Sequence, residues 1–427
     1  MNDIGELAPS TEPEPETPDD RPSSRAGLLG SSAGRAVMVV AVLLATMVGA
    51  GGLALARNTT ESPAELAAGA GAPAGAAAGA AARSAERPEG CVAPDRRLQL
   101  YAVELPRDPV TNQVRLGYGL TPETASYPGP TMEMIEGECL AITLHNQIPA
   151  ATLEGIRTDP THPLGISLHV HGVKYTQMSD GTVHSNSFVP PGGSRTYIWY
   201  AKPRTATSQG TAGYWWYHDH VGGGPHGTQG LNSGLFGGVV VRRQGDPRPN
   251  RTYVTAFGDR QTINLRRSAE ADRCDPVNPV PGPTCMVAKI GERVEIIVIG
   301  IGSDMHTFHV HGHSWADTRT GLIVGENKAL VDSVPVVDNK TVGPGDTFGV
   351  QFVAGDSVGP GHWMLHCHMQ FHSDQGMSTT FHVLDENGVM MPQPDGHSAP
   401  AASSQGATTQ GTPAAGAPAS GTHTNHR

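Results

Sequence analysis

His366-Cys367-His368-Met369-Gln370-Phe371-His372-Ser373-Asp374-Gln375-Gly376-Met377 is the stretch on which the reading of this chain turns. Side chains in an extended strand alternate faces, so His366 and His368 share one face, roughly 6.5–7 Å apart, and Cys367 points to the other. A lone thiolate followed by a histidine and then a methionine offers the donors of a blue-copper site once a second imidazole joins them. Their softness argues against magnesium or calcium.

Three further clusters supply the rest: His169-Val-His171, His218-Asp-His220 and His306-Thr-Phe-His309-Val-His311. His306 stands an odd number of residues before His309, so on a strand it faces away from the His309/His311 pair. The same segments therefore serve two faces. One receives His306, Cys367, the loop residue His372 and Met377 as a weak axial ligand. The other collects His169, His171, His218, His220, His309, His311, His366 and His368, enough imidazoles for three more coppers. A single His-x-His in a chain with 20 histidines means little. Four of them, one wrapped around a cysteine, do not fit a purely structural role. His145, His162, His184, His226, His313, His362 and His382 read as hydrogen-bonded or solvent-facing, with His226 and His313 nearest to a cluster.

Short β-rich runs separated by Gly/Pro turns recur along the middle of the chain, and no long helical period competes with them. The halves look like diverged copies. Ile135-Glu-Gly-Glu138 precedes the apolar run Cys139–His145, and Ile290-Gly-Glu292 precedes Val294–Ile299. Each half then carries an HxH, a later H-x-H and a final apolar strand, Leu235–Val241 in one and Met377–Leu384 in the other. These features predict an all-β protein of two Greek-key β-sandwich domains of cupredoxin type, divided in the charged, Pro-containing stretch Arg242–Pro249, with domains at 91–245 and 246–390. Asp219 fills the place in the first half that Cys367 fills in the second. Without a thiolate, the first domain cannot hold a blue copper.

At these residues the chain resembles the multicopper oxidases, and among them the two-domain bacterial small laccases, over about Cys91 to Met390. That resemblance implies type 2 copper at His169 and His309, a type 3 pair at His171, His218, His220, His311, His366 and His368, and type 1 copper at His306, Cys367 and His372 with Met377 axial. Parity alone gives the division between the two faces but not the split between types 2 and 3. The copper nitrite reductases, also built of two cupredoxin domains, carry the blue site in the first domain and only three histidines at the catalytic copper, and this chain shares neither trait. Each domain supplies four of the eight cluster histidines, so the trinuclear centre must lie between domains. Since the middle domain of the larger laccases is missing, the resemblance implies a head-to-tail homotrimer with that centre between subunits.

The expected activity is one-electron oxidation of phenols and aromatic amines at type 1 copper, coupled to four-electron reduction of O2 to water, with four copper ions per subunit. Cys367 and its covalent neighbours form the electron route. Asp180 is a candidate proton carrier, against its reading as an exposed turn residue. Tyr175 is a candidate redox-active reserve, against its reading as core packing. The alternatives are a cuprous or ferrous metallo-oxidase and a non-enzymatic copper electron-transfer protein. The 13 methionines form no long Met-rich insert near the type 1 motifs, which tells against a dedicated cuprous oxidase.

Ala36–Ala56 carries no charge, is long enough to span a membrane, and follows Arg21, Arg25 and Arg35. Ending in Ala54-Leu-Ala56, it reads as a signal peptide or a retained membrane anchor after an acidic, cytoplasmic leader at 1–35. An Ala/Gly-rich linker at 57–90 follows, and a tail at 391–427 is too poor in apolar residues to fold. With Cys367 committed to copper, Cys91, Cys139, Cys274 and Cys285 remain, and four cysteines allow three pairings. The favoured ones are Cys274–Cys285, closing a Pro-rich loop, and Cys91–Cys139, which together point to an extracytoplasmic location. The net charge of −11 gives no sign of a nucleic-acid surface, and no partner is indicated beyond reductant, O2 and copies of the chain.

Overall fold

The computed structural model describes residues 86–109, 111–323 and 334–393. The leader, the 36–56 segment, nearly all of the linker and nearly all of the tail lie outside the described residues. Among those described, no helix is long and apolar enough to cross a membrane.

Eight strands build the first sandwich: β1 (Arg96–Leu105), β2 (Arg115–Gly119), β3 (Gly129–Ile135), β4 (Cys139–Asn146), β5 (His169–Val170), β6 (Ser194–Tyr200), β7 (Gly213–His218) and β8 (Phe236–Arg242). Eleven follow: β9 (Arg251–Gly258), β10 (Thr262–Ile263), β11 (Met286–Lys289), β12 (Arg293–Gly300), β13 (His306–Val310), β14 (Trp315–Ala316), β15 (Val336–Val337), β16 (Asn339–Val342), β17 (Thr347–Val353), β18 (Gly361–Cys367) and β19 (Ser378–Leu384). Three short helices interrupt them: α1 (Ala150–Ile156), α2 (Thr228–Ser233) and α3 (Gln370–Asp374).

The sheet orders repeat. β2-β1-β4-β6 packs with β3-β8-β7-β5 in the first sandwich, and β10-β9-β12-β17 with β11-β19-β18-β13-β16 in the second. The parallel pairs fall at matching places too: β1/β4 and β3/β8 in one, β9/β12 and β11/β19 in the other. The chain passes repeatedly from one sheet to the other, as from β2 to β3 and from β3 to β4, which gives the Greek-key, cupredoxin-like path that the repeated motifs predict.

Each sandwich has its own core. Leu140, Ile142, Leu168, Val170, Tyr197, Trp199 and Tyr217 fill the first, and Ile296, Val298, Phe308, Val310, Phe352, Leu365 and Phe381 the second. The alternate residues of β7, β8, β9 and β12 meet in a third cluster, Tyr214, Trp216, Phe236 and Val240 against Ala256, Ile297 and Ile299. Inside this contact Glu295, 0% exposed, accepts two bonds from Arg242 at 2.9 and 2.8 Å and further bonds from Tyr214, Thr252 and Gln351. A buried carboxylate is tolerated only with such complete partnering. Both favoured disulfides, Cys91–Cys139 and Cys274–Cys285, are formed, and Cys367 remains free and buried.

Candidate metal centres

Strand pairing sets the first site. β13 and β18 run antiparallel with Phe308 opposite Cys367, His309 opposite His366 and Val310 opposite Leu365. Phe308, Val310, Leu365 and Cys367 belong to the inner core. The intervening histidines therefore point outward. His306 has the parity of Phe308 and lies inside, as expected.

The inner group is compact. His306 Nδ1 and His372 Nδ1 are 3.3 Å apart, and Cys367 Sγ lies 3.6 Å from His372 Nδ1. Exposures of 1%, 0% and 7% for His306, Cys367 and His372 make it a dry site. Helix α3 carries His372 back towards the strand. Its turn is closed by Met377, whose N–H donates to the His372 carbonyl at 3.0 Å and whose carbonyl accepts from Cys367 N–H at 3.1 Å. Met377 is itself fully buried. The Thr307 N–H donates to Cys367 Sγ at 3.4 Å. Burial pushes the Cys367 thiol up, and burial with the facing His372 pushes His306 down to about 4, leaving its imidazole neutral.

Eight imidazoles form two outer sets with the same internal plan. In the first, His169 donates Nδ1–H to the Asp180 carbonyl at 2.6 Å and His218 donates its own to the Asp219 carbonyl at 2.8 Å. His171 Nε2 and His218 Nε2 then face each other at 3.3 Å. In the second, His309 donates to the Asp338 carbonyl at 2.7 Å and His366 to the Cys367 carbonyl at 2.9 Å, and His311 Nε2 faces His366 Nε2 at 3.2 Å. His220 and His368 complete the sets, their rings each 5.2 Å from those of His169 and His309 respectively. Backbone carbonyls thus fix the Nδ1–H tautomer of His169, His218, His309 and His366 and leave Nε2 of each turned towards the other rings, as metal-binding histidines require.

Burial lowers the pKa of His171 to about 4, holds His218 well below its usual range, and lowers His311 and His366 as well. Neutral nitrogens facing one another in threes, with hydrogens turned outward, fit a soft or borderline cation. A cysteine with two histidines fits copper in particular. In each His-x-His the second member lies at or beyond a strand end, so strand alternation governs the first member and the following turn governs the second.

Among the described residues, no ring contact or hydrogen bond joins the first set to the second. His311 and His368 are exposed.

Asp180 and Tyr175 both stand beside His169. The Asp180 carboxylate is 3.6 Å from His169 Nδ1 and accepts from Thr182 Oγ1 at 2.7 Å. The Tyr175 ring is 5.9 Å from that of His169, and burial followed by Asp180 raises its hydroxyl pKa. Tyr175 also packs against the first core. His313 is structural: it donates to the His311 carbonyl at 2.9 Å and accepts from Gly355 N–H at 3.0 Å. His226, exposed, meets His220 edge-on at 5.5 Å.

On sequence alone Asp219 reads only as a missing thiolate. It is instead fully buried at the position matching Cys367 and organises the loop between the histidines. Its carboxylate accepts from Ser167 N–H at 2.8 Å, Gly222 N–H at 2.7 Å and Val221 N–H at 3.1 Å, although burial raises its pKa to about 6. A side chain at Gly222 or Gly230 would collide with this carboxylate, which accounts for the glycine-rich sequence there. The signal was in the sequence: an acid at an inward-facing position followed by small residues.

Comparison with known proteins agrees along the folded span. Residues 124–246 and 246–387 match two family models, each described as multicopper oxidase. The probable nitrite reductase-hydroxylamine oxidoreductase fusion protein of Kuenenia stuttgartiensis is 32% identical over 289 residues, 64% of this chain and 29% of that protein. The iron transport multicopper oxidase of Schizosaccharomyces pombe is 27% identical over 142 residues, 31% of this chain and 22% of that protein. The chain thus spans less than a third of the length of these curated relatives. A crystal structure of a multicopper oxidase is 22% identical, with a TM-score of 0.46, covering 67% of this chain and 88% of that one.

Proposed function

The chain belongs to the multicopper oxidase family, a family of copper-binding oxidoreductases, and from that membership we propose that it works as a laccase-type enzyme, taking electrons singly from phenols and aromatic amines and passing four to O2 to give two waters. His306, Cys367, His372 and Met377 would hold type 1 copper. His169 and His309 are assigned to type 2, and His171, His218, His220, His311, His366 and His368 to the type 3 pair, making four ions per subunit. When bound, copper supplies one-electron exchange at the thiolate site and oxygen reduction at the imidazole site.

The observation that supports this most is the position of Cys367: its sulfur lies in the dry interior while both covalent neighbours point outward. An electron entering at His306 or His372 then has a route of a few bonds through Cys367 to His366 or His368. The fixed Nδ1–H tautomers hold the outer nitrogens ready without reorganisation. Asp180, beside His169 and near the half-buried Tyr175, is assigned to proton delivery, and Tyr175 to the part of a redox-active reserve.

The separation of the imidazole sets supports a site completed by a second copy. We assign a head-to-tail homotrimer in which domain 1 of one subunit faces domain 2 of the next. The two disulfides support an extracytoplasmic location.

A ferrous or cuprous substrate is the second reading, favoured by Met305, 50% exposed next to His306, and by the Asp304 and Asp259 carboxylates whose field reaches His306. The test is oxygen uptake by the copper-loaded enzyme with dimethoxyphenol and with ferrous ion. The laccase reading expects the phenol to drive uptake with the higher kcat/KM. Uptake with the metal ion alone would replace it by the second.

A further inference from the structure

At the far end of β18 and β19 from the copper motifs lies a second group of donors that the copper chemistry does not use. His362 and His382 are paired across these strands, and Val287 of β11 lies beside His382 on the other edge. His382 is 3% exposed, and its Nε2 lies 3.1 and 3.2 Å from the two carboxylate oxygens of Asp272. Donor atoms of Asp272, Cys274 and His382 all lie within 4.8 Å of one another. Cys285 is bonded to Cys274 and so brings a fourth donor to the same place.

The two rings call for one positive charge more than two neutral imidazoles carry. His362 Nε2 faces the Met391 carbonyl at 2.7 Å, His362 Nδ1 faces His382 Nδ1 at 2.8 Å, and His382 Nε2 faces Asp272. These three contacts need three hydrogens, whereas two neutral imidazoles carry two. A third proton beside the Asp272 carboxylate supplies that charge, and a cation bound at His382 Nε2 supplies it equally. With the cation, His382 Nδ1–H donates to His362 Nδ1, and His362 Nε2–H donates to Met391, with both rings neutral.

We propose that Asp272, Cys274, Cys285 and His382 form a redox-gated site for a zinc-class divalent cation, closed as a disulfide and opened when a thiol reduces it. Two thiols of the reductant transfer two electrons and two protons to the sulfurs, the S–S bond breaks, and the reductant leaves as its own disulfide. The cation then displaces the two thiol protons to form two metal–sulfur bonds. Two thiolates, one imidazole and one carboxylate are a donor set for tetrahedral zinc, whose ligands stand about 3.3–3.8 Å apart, so side-chain rotation suffices. The frame does not depend on the disulfide. Arg273 N–H donates to the Thr284 carbonyl at 2.7 Å, Gly282 and Cys285 exchange backbone bonds at 3.0 and 3.1 Å, and Thr379 Oγ1 donates to the Ala271 carbonyl at 2.9 Å. The loop is thus cross-linked in either redox state, by sulfur or by metal.

The test uses the full-length copper-loaded enzyme, reduced anaerobically with dithiothreitol and titrated with Cd2+ beside a Cys274→Ser/Cys285→Ser variant treated identically. The proposal expects one more Cd2+ per subunit in the parent enzyme, with ultraviolet thiolate-to-cadmium absorbance and a raised Tm. His382→Gln should weaken this uptake by at least about tenfold, as should His362→Phe through loss of the orienting bond. Two new thiols without extra Cd2+ overturn it. Equal uptake by the parent and His382→Gln enzymes also overturns it, because the thiols alone would then be the ligands.

Discussion

Cys367 and His366 are consecutive residues on β18 that face opposite sides of one sandwich: the cysteine is 0% exposed in the inner core, while His366 Nε2 meets His311 Nε2 at 3.2 Å on the outer face. One peptide unit therefore separates the two kinds of donor. Replacing Cys367 by Ser should remove the intense blue absorbance and phenol oxidation while leaving the outer imidazoles intact. Copper analysis should show a loss of one ion per subunit. Loss of three or four would mean that the two sites are not independent.

Asp219 holds its loop through the amides of Ser167, Val221 and Gly222. Asp219→Ala leaves three buried donors without an acceptor, at about 1–3 kcal/mol each. His218 and His220 lose their mounting. The expected outcome is depleted outer-site copper and slowed oxygen uptake with the blue band retained, read by metal analysis and visible spectroscopy on one sample.

Removing copper exposes a pH dependence. His171 and His306 are held near 4 in the metal-free fold, below the ordinary value of about 6.5 in an unfolded chain. Between those values the unfolded chain binds more protons, so stability rises with pH across the window and falls as acid is added. Denaturant titrations of the copper-free protein at pH 7 and pH 5 should show the lower midpoint at pH 5. Equal midpoints would contradict the burial argument.

Glu295 and Arg242 join the two sandwiches through a fully buried bidentate pair. Glu295→Ala removes both bidentate bonds of the buried Arg242, leaving it only Glu133 at 3.2 Å as counter-charge, and should cost up to about 3–5 kcal/mol, visible as a lowered Tm. Arg242→Met combined with Glu295→Leu should recover much of the loss, since apolar replacement of a whole buried pair is far milder than breaking it.

The sequence carried the inner and outer division because, within the strands, that division is a matter of parity: 306, 308 and 310 against 309, and 365 and 367 against 366; His311 and His368 are placed by the turns that follow. It also carried the duplication, since both halves repeat a turn, an HxH and a closing strand. Other features depend on partners distant along the chain. The Asp180 and Asp338 carbonyls that set the histidine tautomers are backbone atoms with no side-chain signature. Glu295 looked like an ordinary strand residue until Arg242, Tyr214 and Gln351 converged on it. The position of Tyr175 beside both His169 and the core follows from a loop that no periodicity describes.

In the proposed assembly, two imidazole sets that are separate within one chain make one oxygen site between chains. Mixing a His171→Ala variant with a His311→Ala variant, each inactive alone, under conditions that exchange subunits tests it directly. A head-to-tail trimer pairs an intact first domain with an intact second domain at about a quarter of its interfaces, so oxygen uptake should return to about that fraction of the parent rate. No recovery after exchange verified by mass would contradict it, as would full activity in a sedimenting monomer.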